Sequence, residues 1–135
     1  MVIELIGGQQ QPRHGDAEHM SKAEHDKCLA EALLTDGKFP DWVITCSFYL
    51  ALHCVDAYAH TQGVTDFIPK PGEKLTVHGK RERFVKDKLN NCFFHYKWLH
   101  DRSNQARYDP LYYKLMPAGL ANACLTDAKQ FLTII

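Results

Sequence analysis

The chain has 135 residues, of which 45% are apolar and 24% charged, an ordinary balance for one folded domain. Whole-chain disorder, collagen-like repetition and low complexity are excluded, and a core of this size needs no disulfide or metal to hold it. The formal net charge is zero, so nothing global calls for a polyanionic partner.

The zero conceals a division. Residues 1–66 carry four basic against ten acidic side chains, and residues 67–135 carry twelve against six. Such a chain can offer one face to a phosphate and another to solvent or a second subunit, or its two halves can simply attract each other. The five cysteines, Cys28, Cys46, Cys54, Cys92 and Cys124, are odd in number, widely spaced and form no CxxC. They read as reduced, buried thiols of a cytoplasmic protein. No basic stretch followed by an apolar one opens the chain, so no signal peptide is expected.

Residues 1–15 contain Gly7-Gly8, Gln9-Gln10-Gln11 and Pro12. They read as a flexible leader with a short extended piece at Val2–Ile6, and residues 16–135 as the folded domain. From Asp16 the pattern is helical. Met20, Ala23, Ala30 and Leu34, with Cys28, Leu29 and Leu33 beside them, form an apolar stripe, and Glu18, Lys22, Glu24, Asp26 and Glu31 fall to the surface. Gly37 supplies a stop, and Pro40-Asp41 opens a second helix with Asp41 as N-cap.

That second helix, about Asp41 to Gln62, is apolar nearly all round, as a central core helix must be. The stretch Trp42–Leu52 lacks Asp, Glu, Lys, Arg and His but is too short for a membrane span. Gly63 ends it, and residues 63–77, with Pro69, Pro71 and Gly72, form a long loop that is mobile or functional. A third helix runs from His78 to about Asn90, with Phe84, Val85 and Leu89 inward. A fourth runs from Asn91 to about Tyr108, closed by Asp109-Pro110. Residues 111–116 connect to a last helix over about 117–133, with Pro117 at its first position. No useful segment alternates with period two. The spacing predicts an all-α bundle of four to five helices.

Three groups of residues carry candidate chemistry. On the second helix, Thr45, Tyr49, His53, Asp56 and His60 fall within about 80° of one another, a polar stripe that burial alone does not explain. It must face polar groups of another helix or a cleft. His53 and Asp56 are three apart, and the carboxylate would favour a protonated imidazole. On the fourth helix, Tyr96, His100, Ser103 and Arg107 share one face, and His95, Leu99, Arg102 and Ala106 the next. Two guanidiniums with a hydroxyl and a histidine suit a phosphate. At the start of the third helix, His78 and Arg81 stand where backbone N–H groups favour an anion. Residues 78–108 hold eight Lys/Arg against three Asp/Glu, interleaved with Phe84, Tyr96, Trp98 and Tyr108. The aromatics fit a core better than a stacking platform. There is no Gly-rich phosphate loop, no nucleophile elbow and no HxxxH pair with a third ligand, so no cofactor and no metal is expected. His14, His19 and His25 lie near the start of the chain and carry no assignment.

The succession Asp41-Trp42-Val43…Phe48-Tyr49-Leu50-Ala51-Leu52-His53…Asp56-Ala57, His78…Arg81…Phe84-Val85 and Tyr96…Leu99…Arg102-Ser103…Ala106-Arg107-Tyr108 resembles the prokaryotic HEPN domain, the higher eukaryotes and prokaryotes nucleotide-binding family, over about residues 16–133. The resemblance implies an up-and-down helical bundle, a homodimer and, in many members, a place in toxin–antitoxin or other defence systems. In active members an Arg-x4–6-His motif forms a metal-independent ribonuclease site at the dimer cleft. The arginine stabilises the phosphate, and the histidine handles the proton as the ribose 2′-OH attacks. Here Arg102 matches the arginine, but Arg107, Tyr108 and Asp109 occupy the window of the histidine. The implied site therefore comprises Arg102, with His53 and Tyr108 for proton transfer, and Arg107, His78, Arg81 and Ser103 on the phosphate. His53, His78 or His100 would replace the missing imidazole. The reading is a domain that binds RNA or a nucleotide phosphate, with ribonuclease activity implied by the resemblance and an antitoxin or other protein as a further partner. The alternative is a catalytically inactive dimeric interaction module or a helical scaffold.

Overall fold

The computed structural model describes residues 15–134, so the expected leader, including Val2–Ile6, lies outside the described residues except for Gly15. Helices α1 (Asp16–Asp36), α2 (Pro40–Thr61), α3 (Val77–Lys88), α4 (Asn90–Tyr108), α5 (Tyr112–Leu115) and α6 (Leu120–Lys129) follow one another, and a 3₁₀ turn spans Gln130–Thr133. No strand occurs among the described residues, and the architecture is an all-α bundle.

Local chemistry explains most boundaries. Gly37 takes the left-handed conformation that closes α1, at φ 79°, and its N–H donates to the Leu33 carbonyl at 3.0 Å. Pro40, not Asp41, begins α2 next to the N-cap Phe39, because proline's fixed φ suits the first helical position. Thr76 caps α3, its Oγ1 accepting from the Gly79 N–H at 3.0 Å. Leu89 alone separates α3 from α4. Pro117 is not the first residue of the last helix. That helix starts at Leu120, after Gly119 at φ 83°.

α2 sits at the centre and packs against α1, α4 and α6, while α3 packs on α4. It is long and apolar enough to cross a membrane, yet 72% of its most apolar window is buried inside the bundle. Phe48, Leu50, Ala51, Cys54 and Val55 are fully enclosed. Its buried aliphatic hydroxyls are satisfied within the helix, Thr45 Oγ1 donating to the Asp41 carbonyl and Ser47 Oγ to that of Val43.

α1 meets α2 through small residues. Ala23 and Ala30 are fully buried, and with them Asp26, which the apolar stripe had assigned to the surface. Leu29 is instead exposed, as is Cys28. Alanine lets two helices approach closely, so the seam follows small side chains and not the bulkiest ones. Asp26 is held there by the Lys22 ammonium at 2.8 Å.

α3 is joined to α2 by long side chains. Arg81 clasps Asp56 with two hydrogen bonds, Nε to Oδ1 at 2.7 Å and Nη2 to Oδ2 at 3.2 Å. The Arg81 guanidinium also lies over the Phe67 ring at 5.1 Å, and Phe67 packs edge-on against Phe84. Phe67 is buried, so the long α2–α3 loop is anchored within its first half.

Both members of the Arg81–Asp56 pair are nearly enclosed, with side chains 11% and 12% exposed. Asp56→Ala should lower the unfolding free energy by about 3 kcal/mol by leaving a cation without its partner. The double variant Asp56→Leu/Arg81→Met should recover most of that loss. Urea unfolding of the three proteins reads both effects.

Candidate functional site

The polar stripe of α2 is met by three different helices. From α1, His19 approaches His53, with the two Nδ1 atoms 3.2 Å apart and the rings stacked at 5.5 Å. From α3, Arg81 takes Asp56. From α4, Arg107 donates to the Tyr49 hydroxyl at 3.1 Å and lies over its ring at 5.7 Å. His60 closes the row, with its Nδ1 buried and without a hydrogen-bond partner among the described residues. The expectation that buried polar groups find partners therefore holds for four of the five stripe residues.

A second row stands between α2, α3 and α4. His100 stacks face to face on Phe48, with centroids 4.7 Å apart and planes within 10°. His78 lies 5.0 Å from His100. Burial lowers both imidazole pKa values from 6.5, and the Arg107 charge acts on each in the same direction. Arg81 presses further on His78, whereas Glu82, with Oε2 3.8 Å from His100 Nδ1, opposes the shift on His100. Both rings are therefore neutral near neutral pH. His53 behaves alike: its burial outweighs Asp26 and Asp56, and its pKa is lowered. The protonated imidazole expected from its neighbour Asp56 is thus corrected, because desolvation of the ring exceeds the attraction of a carboxylate already claimed by Arg81.

Arg107 is half-buried. Its guanidinium donates to Tyr49 Oη, to Asn104 Oδ1 at 2.9 Å and to Tyr108 Oη at 3.4 Å, all neutral acceptors. Among the described residues Arg81 is the one arginine paired with a carboxylate. A hollow of about 420 Å³ opens beside Arg107, lined by Asp41, Trp42, Thr45, Asp109 and Tyr113. Its two carboxylates would repel a phosphate, whereas His78 and His100, on which the Arg107 charge also acts, bring no negative charge.

The structure divides the residues singled out from the sequence. Arg107, His78, Arg81 and His100 gather at the junction of α2, α3 and α4. Arg102 does not join them. It lies five positions before Arg107, about 140° around the helix, and its charge acts on Tyr112 and Cys124, toward α5 and α6. Its Nε is buried without a partner among the described residues. Ser103 is fully enclosed, so its hydroxyl is not on an open face. Tyr108 is 73% exposed and carries the Arg107 contact. His53 faces α1 and not the Arg107 group. Of the aromatics, Phe84 and Tyr96 belong to the core. Burial pushes the thiols of Cys54 and Cys124 up to about 12, which makes them poor nucleophiles.

Sequence reasoning passed over His19, Asp26 and Asn104. One signal was present: His19, Ala23, Asp26 and Ala30 are spaced by four, three and four, one continuous helical face. The larger leucines beside it drew the apolar stripe elsewhere.

The histidine pKa values carry a consequence for stability. Because His78 and His100 bind protons less readily folded than at their usual 6.5, the unfolded chain takes up more protons as pH falls through that value. Their contribution is full above it and is lost below it. The melting temperature should drop between about pH 7.5 and about pH 5.5, and His100→Phe, which keeps the ring on Phe48, should make the drop shallower. Thermal unfolding across that range checks it.

Comparison with protein-family models finds no match, and comparisons with curated proteins and with solved structures find none either.

Proposed function

We propose that this chain binds the phosphate of an RNA or nucleotide at the junction of α2, α3 and α4, with Arg107 as the anchoring cation. The observation that carries the reading is the state of Arg107: half-buried, preorganised by Tyr49 and Asn104, and met by neutral acceptors only. A guanidinium in that state keeps its charge available to a bidentate anion. His78 and His100 stand beside it as neutral rings that can hydrogen-bond a phosphate or take up a proton. They supply the imidazole that the Arg-x4–6-His window lacks, which supports a HEPN-like ribonuclease chemistry in which the ribose 2′-OH attacks its own phosphate. The free cysteines support a cytoplasmic location.

A second reading, a dimeric interaction module without turnover, is favoured by another feature. Trp42, Tyr108 and Tyr113 stand 53%, 73% and 46% exposed around Arg107. A second copy or an antitoxin-like protein would cover such aromatics and bring its own groups to the site.

Fluorescence anisotropy with labelled single-stranded RNA tests the proposal. Arg107→Gln should weaken binding about tenfold and flatten its salt dependence by about one unit of log–log slope. If only Arg102→Gln weakens it, the site lies on the α5–α6 side and Arg107 is not the anchor. Incubation of the same RNA in EDTA separates the two readings. Cleavage that disappears in the arginine variants supports an enzyme, and retained binding without cleavage supports the module.

A further inference from the structure

His19 on α1 and His53 and Asp56 on α2 bring two imidazole nitrogens and a carboxylate oxygen within 4.8 Å of one another. We infer that these three residues form a binding site for a divalent transition-metal ion of zinc type. The site is independent of the phosphate reading, and either can fail alone.

The spacing of the nitrogens is the first argument. A tetrahedral zinc ion bound by two imidazoles at about 2.0–2.1 Å sets their nitrogens about 3.3 Å apart. The Nδ1 atoms of His19 and His53 are 3.2 Å apart. That separation is also the length of one N–H···N hydrogen bond, so the pair is already assembled at the ligand spacing before any ion arrives.

The second argument is the carboxylate. Asp56 is held by two hydrogen bonds from Arg81, at 2.7 and 3.2 Å. Each carboxylate oxygen keeps a further lone pair. Arg81 therefore acts as the outer partner that orients a ligand, as metal-bound carboxylates commonly require. The ligand set is two nitrogens and one oxygen, the borderline donor set that suits zinc and its first-row neighbours better than calcium or magnesium.

The third argument is access. All three residues are partly buried, neither sealed nor on an open surface. A groove of about 430 Å³ between α1 and α2, lined in part by Lys22, Asp26, Trp42, Cys46 and His53, opens to solvent at one of the three ligands. Three protein ligands leave a fourth coordination position for water or a small anion.

The test uses the full chain, stripped with EDTA and titrated with ZnCl2 by calorimetry. One zinc per chain is expected, with a rise in melting temperature on saturation. Co2+ in its place should show visible d–d bands without a thiolate charge-transfer band, which excludes the cysteines as ligands. His19→Gln and His53→Gln should each weaken zinc binding about tenfold or more, whereas His95→Gln, whose imidazole pairs with Asp127, should leave it unchanged. Should His53→Gln fail to fold, His19→Gln alone decides, since His19 lies on the outer helix. No stoichiometric zinc, an affinity unchanged in the foldable histidine variants, or a thiolate band with Co2+ overturns the proposal.

Discussion

The placement of the functional groups depends on the ion pair between Arg81 and Asp56. α3 has few close backbone approaches to α2, so its register rests on side chains that span the gap. Arg81, Phe67 and Phe84 are those side chains. A nearly enclosed ion pair adds little net stability, because desolvation offsets the attraction. Its force is specific: any other register of α3 would leave a buried cation and a buried carboxylate without partners. His78 lies one turn before Arg81, so the same pair sets where that imidazole stands relative to His100 and Arg107.

Desolvation, more than charge, then governs the chemistry of the site. His53, His78 and His100 lie near several ionised groups, yet burial is the largest influence on each of these rings and lowers its pKa. The cation excess of residues 78–108 is also smaller in space than in sequence. Arg81 is neutralised by Asp56, and Lys97 is shared by Glu82 and Asp101. What remains at the α2–α4 edge is one guanidinium oriented by neutral acceptors, with Asp41 and Asp109 lining the hollow on one side of it. An anion there would be held by geometry and not by bulk field, as the proposed phosphate site requires.

The polar stripe of α2 serves two separate assemblies. Its Tyr49 end faces Arg107 of α4, and its His53 end faces His19 of α1. Asp56, one turn beyond His53, is bonded to Arg81 and within reach of both histidines of the α1–α2 pair. One helix can do this because residues three and four apart share a face but fan slightly around it, so successive members point to different neighbours.

Much of this was legible in the chain itself. Helical periodicity, Gly37, Gly63 and the proline-bounded loop set the helices and their order, since these signals act through backbone geometry within a few residues. The stripe at Thr45–His60 was visible for the same reason, but Arg102 and Arg107, read together as phosphate ligands from the sequence, point apart in the fold. The fold class and the presence of a partnered polar face were thus determined locally. The partners were not. His19 and His53 are 34 residues apart, Arg81 and Asp56 25, and Arg107 and Tyr49 58. Which of these meet depends on which helix covers which face of α2. That choice follows from close packing, with α1 seated on its alanines and Asp26 carried inward, and no local pattern encodes it.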